Sequence, residues 1–409
     1  MNKAHDEIID VVIVGAGLAG LAAAHSLEGF GVALIEREPQ AGGRVLTVTK
    51  DSARFDLGAC FAYNPHLLPG VSAAPTVKHE ERASIGIHMH GTTVFADTAW
   101  SAVRQLPIAQ STLSALASMR AGTLHVRDLP PEAARILRAL FQQIHPADIT
   151  EYSALRHGDA WNDWYPDHWR EGNIALVDAY ATPLAQVLRV GANVTRVEEL
   201  ADHVLVTFER HGSSQRLRAR AVIVATPATV ARQLVRPRDP ACATFLGSVR
   251  YGRYTVVAFV AERASFPRPF RFIITPEAGL TFVMSQQHAG RNTHVLLCYY
   301  AASDAAFADA RDDRALIDAT RSSLEDIGFA ADALEAASTW VKRWPLSGTI
   351  LDDRYFALKR PDFARASTRT FLAGDYLAMT PGWGYGMDDA VASGRSTGAL
   401  VRDLLAHEL

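Results

Sequence analysis

The feature that most constrains this 409-residue chain is a glycine-rich turn between an apolar run and a helix of small residues. Residues 8–14, IIDVVIV, predict a strand that is buried on both faces. Gly15, Gly17 and Gly20 follow in the pattern GxGxxG, and residues 18–27 predict a helix that can pack closely on a sheet. In this strand–turn–helix context the glycine pattern is typical of a dinucleotide-binding fold.

Each glycine of this pattern has its own physical reason. Gly15 permits a tight turn, Gly17 lets the backbone approach a pyrophosphate, and Gly20 lets the helix pack against the strand. The amino end of the helix offers free N–H groups and a partial positive charge to the phosphates. The alternative is a glycine-rich turn that binds nothing, and the element that follows argues against it.

A second apolar run, 32–36, completes a β–α–β unit with a right-handed crossover, and it ends in Glu36. A carboxylate about 20 residues after the glycines accepts hydrogen bonds from ribose hydroxyls and repels a 2′-phosphate. Strand, glycine spacing, helix and acid together predict a site for the ADP part of a cofactor. They do not separate NAD from FAD.

Composition and charge exclude several other classes of protein. Apolar residues make up 48% and charged residues 21%, which is ordinary for a globular protein with a large core. The net charge is −3 and the basic residues are scattered, so we expect no nucleic-acid partner. The three cysteines are far apart, which predicts neither a disulfide framework nor a zinc site. With no signal peptide and no long apolar run, we expect a cytoplasmic protein that does not enter a membrane.

The rest of the chain predicts an α/β fold with a second sheet. Residues 129–144 and 173–188 predict helices, and the runs NVTRVEEL, HVLVTFER and LRARAVIVAT predict strands, the last two joined in a hairpin at HGSS. Four apolar runs within 254–300 predict an antiparallel sheet. A helix over 313–327 is expected to end at Gly328, and the tail predicts one more strand and a closing helix.

A second glycine pair carries the argument from a nucleotide fold to a family. Gly42 and Gly43 precede Arg44, and together with VIVGAGLAGLAAA and IERE they resemble the amino end of the flavin-containing amine oxidase superfamily. That group includes monoamine and polyamine oxidases, amino-acid oxidases, protoporphyrinogen oxidase and phytoene-type desaturases. The stretch TFLAGDYLAMTPGWGYGMDDAVASGRSTGALV resembles the closing strand, Gly-Asp turn and final helix of the same family, and VIVATP and NVTRVEEL also match it.

The resemblance implies where FAD would lie. The GGR turn would sit against the pyrophosphate with Arg44 as its counter-charge, Asp375 would accept from a ribityl hydroxyl, and Val194 would contact the adenine. The final helix would point its amino end at the pyrimidine end of the flavin. The implied cofactor-binding residues are Gly15, Ala16, Gly17, Leu18, Ala19, Gly20, Glu36, Arg37, Gly42, Gly43, Arg44, Gly58, Ala59, Val194, Gly374, Asp375, Trp383, Gly384, Tyr385 and Met387.

Three departures from the family pattern bear on the chemistry. Many members carry a lysine, bridged by water to flavin N5, on a substrate-domain strand, but the comparable stretch SVRYGRYTVVAFV has none and Lys342 lies on another segment. Gly386 stands where monoamine oxidases have the second ring of an aromatic cage, with Tyr385 one residue earlier. PLSGTILDD lacks the cysteine that binds flavin covalently in the family. We therefore expect noncovalent FAD. The departures weaken a simple amine as substrate more than they weaken an FAD oxidoreductase, and we name no catalytic residue.

Several residues outside these motifs admit two interpretations. One aromatic cluster comprises Trp161, Trp164, Tyr165 and Trp169. Its rings line a substrate cavity or pack as ordinary core. Trp344 either lies near the flavin or only packs, and Cys60, in a segment near the flavin in the family, is expected to be a buried inert thiol. His88 and His90 have no acids or cysteines beside them, so we expect a strand surface and no metal site.

These observations predict two interleaved domains. A Rossmann-like FAD domain of parallel sheet would comprise residues 1–70, 185–235 and 340–409. A mixed-sheet α+β substrate domain would comprise 71–184 and 236–339. The substrate pocket is expected where the two meet, over the flavin ring.

Three functional hypotheses follow. The first is an FAD-dependent oxidase or dehydrogenase that takes hydride from a carbon next to nitrogen in an amine or amino acid, with O2 reoxidising the flavin and giving H2O2. The second is a desaturase or ring-oxidising enzyme of a biosynthetic pathway that acts on C–C or C–N bonds of a heterocycle. The third is a scaffold protein that uses FAD structurally. The expected partners are a small-molecule substrate and O2, and the sequence leaves the oligomeric state open, a homodimer included.

Overall fold

The computed structural model describes residues 8–50, 53–60, 76–77, 84–162, 168–169, 172–262, 269–277, 279–286, 293–377 and 386–407. Its strands in chain order are β1 (Ile8–Val14), β2 (Val32–Ile35), β3 (Thr47–Lys50), β4 (Ala53–Asp56), β5 (Thr76–Val77), β6 (Ser84–Met89), β7 (Thr92–Ala96), β8 (His168–Trp169), β9 (Leu188–Arg189), β10 (Ala192–Glu199), β11 (Val204–Arg210), β12 (Ser213–Val224), β13 (Tyr254–Glu262), β14 (Phe270–Ile274), β15 (Phe282–Gln286), β16 (Thr293–Ala301), β17 (Ser338–Trp344) and β18 (Thr370–Leu372).

The α-helices in chain order are α1 (Leu18–His25), α2 (Ala99–Val103), α3 (Gln110–Arg120), α4 (Pro131–Gln142), α5 (Ile174–Ala181), α6 (Ala228–Leu234), α7 (Pro240–Ser248), α8 (Ala302–Asp309), α9 (Asp313–Ile327), α10 (Ala331–Glu335), α11 (Asp353–Leu358) and α12 (Met387–His407). Short 3₁₀ helices span Val126–Asp128, Ile149–Glu151, Ala154–Trp161, Thr182–Leu184, Pro361–Ala364 and Asp375–Leu377. No helix among the described residues combines the length and the apolar character that crossing a bilayer requires.

The first sheet has the strand order β10-β11-β12-β1-β2-β9, and β18 also pairs with β12. β1 pairs in parallel with both β2 and β12, which confirms the predicted β–α–β unit and the Rossmann-like fold class. The apolar residues at the end of β1 are buried on both faces. β11 and β12 form the predicted hairpin, and the turn between them places His211 and Gly212 at φ values of 51° and 74°.

Helices α1 and α12 pack together at unusually close range on one face of this sheet. A Cβ added at Gly394 would lie 2.1 Å from the carbonyl oxygen of Ala19, and one added at Gly398 would lie 2.6 Å from that of Ala23. Small residues on both helices therefore bring the two ends of the chain together at the glycine-rich turn. This contact positions the closing helix beside the predicted nucleotide site.

Replacing Gly394 with alanine should destabilise the fold, because the new methyl group meets rigid backbone and must push α12 away from α1. We expect the free energy of unfolding to fall by about 1–3 kcal/mol, measured as a lower midpoint in thermal and urea unfolding. Gly247→Ala in α7 is the matched control, since nothing lies within 4 Å of a Cβ built there. An equal midpoint for the two variants would contradict the close packing of α1 and α12.

The second sheet has the order β17-β13-β16-β15-β14-β6-β7. The four strands β13 to β16 pair antiparallel as predicted, but β14 pairs in parallel with β6, so the sheet as a whole is mixed. One face packs on the apolar residues of α9 and α10, and the opposite face joins the larger core that faces the first sheet. This opposite face contributes side chains to the cavity described below.

One predicted helix is shorter in the structure, and another ends where the sequence predicts. The helix expected over 173–188 is shorter: α5 ends at Ala181, a 3₁₀ turn containing Pro183 follows, and Leu188 pairs with Leu34 as an edge strand. Proline has no N–H to continue the helix, and the edge of the first sheet offers Leu188 a partner. The helix over 313–327 ends at Gly328, which has a φ of 109°, as predicted.

The first sheet takes its strands from three separate parts of the chain: β1 and β2, β9 to β12, and β18. The second sheet takes its strands from the parts between them, and its strand β17 spans residue 340, where a domain boundary was predicted. The exact domain bounds stay a prediction.

Candidate active site

One cavity of about 650 Å³ extends from the carboxyl ends of β1 and β2 to the inner face of the second sheet. The predicted residues that line it are Gly15, Gly17, Leu18, Ala19, Glu36, Arg37, Gly42, Gly43, Arg44, Gly58, Ala59, Val194, Gly374, Asp375 and Met387. Ala16 and Gly20 do not line it, and Trp383, Gly384 and Tyr385 lie outside the described residues. The structure therefore brings segments from both ends and the middle of the chain to one site.

Backbone forms the wall at the glycine-rich turn. Gly15 has a φ of 98°, and a Cβ there would lie 2.8 Å from the carbonyl oxygen of Ala225. Gly20 is not a wall residue: a Cβ there would lie 1.9 Å from the Gly15 carbonyl oxygen, so its role is to let α1 pack. Gly17 is the N-cap of α1 and makes no side-chain cap. The amino end of α1 is thus available to an anion.

The second glycine pair packs directly on the first motif. The Gly42 amide donates to the Ala16 carbonyl oxygen at 2.9 Å, and a Cβ at Gly43 would lie 3.2 Å from the Gly17 Cα. Gly42 and Gly43 have φ values of 125° and 61°, which favour glycine. Two turns without side chains therefore lie side by side, which leaves room for a group that follows the backbone closely.

Glu36 lies at the cavity with its carboxylate held by backbone. One oxygen accepts from the Ala16 amide at 2.7 Å and the other from the Glu38 amide at 2.8 Å. The residue is 7% exposed. Each carboxylate oxygen can accept more than one hydrogen bond. The carboxylate is therefore pre-oriented and can still accept from hydroxyl groups of a ligand.

Arg44 and Asp375, which are 331 residues apart in the sequence, form an ion pair at 2.7 Å. Arg44 also donates to the Ser347 carbonyl oxygen at 2.7 Å. The Asp375 side chain is 3% exposed. The sequence reasoning treated the two residues as separate ligand contacts and missed their pairing. Their roles toward a bound cofactor stay predictions.

Aromatic side chains of the second sheet line the other end of the cavity. Phe282 and Tyr299 stack with ring centroids 4.5 Å apart, and Tyr254 meets Tyr299 edge-on at 5.5 Å. The Tyr254 hydroxyl donates to the Gln142 carbonyl oxygen at 2.8 Å, which holds its ring in place. Val256 and Met284 complete this apolar surface. This end of the cavity suits an apolar ligand.

Lys342 and Trp344 of β17 line the same end of the cavity. Trp344 Nε1 donates to the Leu57 carbonyl oxygen at 2.6 Å, and Lys342 Nζ lies 4.4 Å from the Trp344 ring centroid. β17 pairs with β13 so that Lys342 stands opposite Val256. Sequence reasoning was right that Lys342 is on another segment, but it missed that the two segments are neighbouring strands. No local sequence signal gives this register.

Cys60 also lines the cavity, with its Sγ 3.8 Å from the Tyr299 hydroxyl oxygen. Burial raises the pKa of the Cys60 thiol to about 12, so the group stays protonated at neutral pH. The residue as a whole is half-buried, less than expected, although its thiol is shielded from water enough for its pKa to rise. Its protonated state agrees with the expectation that it is inert.

The other candidates lie away from this cavity. Trp161 packs edge-on against Trp100 at 5.4 Å and lines a separate cavity of about 420 Å³. Trp164, Tyr165 and the Trp169 side chain lie outside the described residues. His88 is buried and bonded to Thr93, which corrects the expected strand surface, whereas His90 is exposed. Across the described ranges, no group of three or more His, Cys, Asp or Glu side chains is arranged for a metal ion.

Asp56 is a buried acid beside the site that sequence reasoning missed. It accepts from the Asn173 amide at 3.0 Å and from Gln286 Nε2 at 3.3 Å, and its own amide donates to Gln286 Oε1. Burial raises the pKa of Asp56 to about 6, although hydrogen bonds from Thr47, Asn173 and Gln286 oppose the shift. This carboxyl joins β4 to the start of α5 and to β15.

The raised pKa of Asp56 predicts a pH-dependent stability. The folded state keeps the Asp56 proton up to about pH 6, and the unfolded chain keeps it only up to about pH 3.8. The contribution of Asp56 to the free energy of unfolding is therefore fully present below pH 3.8 and is lost as pH rises through 6. Asp56→Asn removes this loss, so its stability relative to the unaltered protein should rise by about 2–3 kcal/mol between pH 4 and 7. Urea unfolding of both proteins at each pH measures the difference.

Comparing the two proteins isolates Asp56 from other titrating groups. Burial lowers the pKa of His145 to about 4, so this histidine costs stability as pH falls from 6.5, and its slope is opposite to that of Asp56. His145 is present in both proteins and cancels in the difference. A stability difference between the two proteins that stays constant from pH 4 to pH 7 would mean that Asp56 titrates normally.

Comparisons with known proteins extend these observations. The family described as flavin containing amine oxidoreductase matches residues 87–401, and the NAD(P)-binding Rossmann-like domain matches residues 13–79. The curated 4,4'-diapolycopene oxygenase of Methylomonas is 48% identical over 59 residues, which are 14% of this chain. That match spans only 12% of the length of this curated relative.

Solved structures share the whole fold at low identity. A triple mutant of putrescine oxidase superposes with a TM-score of 0.78 at 18% identity, covering 98% of this chain and 99% of the other. Cyclohexylamine oxidase from Brevibacterium oxydans superposes with a TM-score of 0.77 at 18% identity, covering 98% of this chain and 100% of the other. At 18% identity, these superpositions show that the fold is shared and nothing about the substrate.

Proposed function

Since the chain belongs to the flavin-containing amine oxidoreductases and is therefore a flavin-dependent oxidoreductase, we propose that it holds FAD noncovalently and oxidises a carbon next to nitrogen in an amine or amino acid. The observation that carries the proposal is one continuous cavity that joins a backbone-walled end to an aromatic end. The first end suits a nucleotide diphosphate, and the second suits an apolar substrate beside a flavin ring.

The residues present fit FAD. The neighbouring turns at Gly17 and Gly43 leave space that side chains would fill, and the amino end of α1 has no side-chain cap. Glu36 would accept from the ribose, the GGR turn would lie against the pyrophosphate, and Asp375 would face the ribityl chain. Met387 begins the helix whose amino end would face the pyrimidine ring.

FAD when bound supplies the hydride acceptor, and O2 would then return it to the oxidised state with release of H2O2. The protein's own contribution is positioning and exclusion of water. The stacked rings of Phe282 and Tyr299 form a rigid wall against which a substrate carbon can be held close to the acceptor. Removing water strengthens every electrostatic interaction in the cavity. Such a reaction needs a neutral amine but no dedicated side-chain base.

The proposal that FAD is bound noncovalently rests on the position and protonation of the three cysteines. Cys242 and Cys298 are buried in the cores and do not line the cavity, and the Cys60 thiol is protonated at neutral pH. Acid precipitation of the purified yellow protein should therefore release all of the flavin into the supernatant. Yellow colour that remains with the pellet would contradict this part of the proposal.

The function is tested by mixing the yellow protein with amines and amino acids in the absence of oxygen. Bleaching of the flavin spectrum, followed by peroxide release when oxygen is admitted, is the expected result. Mass spectrometry then identifies the imine or its hydrolysis product. A protein that takes up no FAD, or whose flavin is bleached by no nitrogen compound, would contradict the proposal.

A second candidate is a desaturase or ring-oxidising enzyme acting on a heterocycle. The aromatic lining formed by Tyr254, Phe282 and Tyr299 favours it, because this lining would also accept a large apolar molecule. Bleaching by a heterocyclic or polyene substrate, together with none by amines or amino acids, would support this candidate. For either candidate function, we propose that the partners of the protein are a small-molecule substrate and O2. We also propose that the protein works in the cytoplasm and binds neither nucleic acid nor a membrane.

A further inference from the structure

We infer that Lys342 binds an anionic group at the aromatic end of the cavity, here called the substrate end, and that the substrate carries a carboxylate on an apolar body. This inference rests on the proposed function and narrows its substrate class to acids. It predicts that cationic amines without an acid group are poor ligands.

Strand register places Lys342 on the cavity face of the second sheet. Trp340 and Trp344, two residues to either side, pack on the core at this face, whereas Val341 packs on the opposite face. Side chains alternate along a strand, so Lys342 shares the face of the two tryptophans. Its partner across the β13 pairing is Val256, which lines the same cavity.

Lys342 is held by an aromatic ring rather than by an acid. Its Nζ lies 4.4 Å from the Trp344 ring centroid, and Trp344 is itself fixed by its bond to the Leu57 carbonyl oxygen. Within the part of the chain that the structure describes, no carboxylate is paired with this ammonium. Its three N–H donors can therefore serve a ligand.

The other charges on the described cavity wall are already committed. Arg44 pairs with Asp375, Arg343 donates to Asp313 and to the Arg311 carbonyl oxygen, and Arg37 pairs with Glu38. The carboxylates that line the cavity are Glu36, Glu38 and Asp375, and none of them belongs to the second sheet. Of the described side chains of the second sheet that line the cavity, Lys342 is thus the one cation that is not paired with an acid, and none carries a negative charge.

The chemistry of such a surface selects anions. In an apolar cavity of low dielectric, an ammonium and a carboxylate attract more strongly than in water, and the hydrogen bond between them is charge-assisted. The same ammonium repels a cationic amine. It also lowers the pKa of a substrate amino group nearby, which favours the neutral amine needed for oxidation.

The test compares three probes that share a phenyl ring and differ in charge: benzoate, benzamide and benzylamine. Titration calorimetry on the flavin-loaded protein measures their affinities. We expect benzoate to bind tightest and benzylamine weakest. Lys342→Met should weaken benzoate roughly 10- to 100-fold and leave benzamide unchanged, since a bond to a charged group is lost. Lys342→Arg should keep most of the benzoate affinity.

Arg253→Met is the matched control, because Arg253, the residue before β13, is a cation that pairs with Asp309 and does not line the cavity. It should change none of the three affinities.

A second readout is anaerobic flavin bleaching by phenylalanine enantiomers, which carry a carboxylate, and by 2-phenylethylamine, which lacks it. We expect faster bleaching by phenylalanine, and this preference should be lost in Lys342→Met.

The inference is overturned if benzoate binds no tighter than benzamide, or if Lys342→Met weakens both probes equally. Bleaching by 2-phenylethylamine with none by phenylalanine would overturn it alone and leave the proposed function standing. A protein that takes up no flavin would instead contradict the proposed function. An unchanged benzoate preference in Lys342→Met, with altered reoxidation by O2, would assign the ammonium to the cofactor side and reject the inference.

Discussion

Gly17→Ala should yield a well-folded protein that does not hold flavin. Gly17 has φ and ψ of −70° and 175°, which any residue can adopt, and a Cβ there would meet only the Gly43 Cα at 3.9 Å. Folding therefore tolerates the methyl group, and loss of glycine flexibility in the unfolded chain stabilises by about 0.4–1 kcal/mol. The same methyl group would stand where a pyrophosphate approaches the backbone.

We expect FAD affinity to fall roughly 100-fold or more, which corresponds to about 3 kcal/mol. Absorbance at the flavin band per protein and titration of the flavin-depleted protein measure the loss. Gly20→Ala is the contrast: its Cβ would lie 1.9 Å from the Gly15 carbonyl oxygen, so that variant should lose stability together with flavin. A yellow Gly17→Ala protein with unchanged affinity would mean that the cofactor does not lie against this turn.

Arg44→Met should destabilise the protein and remove its flavin. The substitution leaves the Asp375 carboxylate, 3% exposed, without the partner that lies 2.7 Å away. Removing one member of a fully buried pair costs about 3–5 kcal/mol, because the remaining charge is uncompensated. Since the Arg44 side chain is 31% exposed, we expect a loss at or below the lower end of this range. The Ser347 carbonyl oxygen also loses its donor. Thermal unfolding of the flavin-depleted protein measures the stability, and flavin absorbance measures the cofactor content.

The double variant Arg44→Met with Asp375→Asn separates the two causes. Since no buried charge remains, its stability should recover by at least half of the loss seen in Arg44→Met, whereas flavin binding should stay weak. Additive losses in the two single variants would show that the side chains do not interact, and this result would contradict the ion pair.

The backbone-walled end of the cavity could be predicted because its determinants are local. Gly15, Gly17 and Gly20 are required by the backbone geometry of one turn, and Glu36 lies at the end of the next strand. Each residue acts through its own conformation or through its place in a single β–α–β unit. The same holds for Gly328, which ends a helix by adopting a φ of 109°. Such signals are readable without knowing what packs against them.

The aromatic end of the cavity could not be predicted, because it depends on contacts between distant segments. Lys342 enters the cavity only because β17 pairs with β13 in a register that sets it opposite Val256. Asp56 is buried by segments that include α5 and β15, so its environment has no local signature. The sequence left open whether Trp161 lines the substrate cavity or packs as core, and the fold places it against Trp100 beside a separate cavity.

By itself the sequence determined the family, the fold class and most of the predicted residues that the fold brings to one cavity, since glycine conformations and helix ends are properties of short segments. Tertiary structure alone decided that Arg44 pairs with Asp375 and that the Lys342 ammonium lines the same cavity as the aromatic rings of the second sheet. The physical reason is that pairing and burial of charge depend on which segments become neighbours, and strand register across the second sheet sets those neighbours.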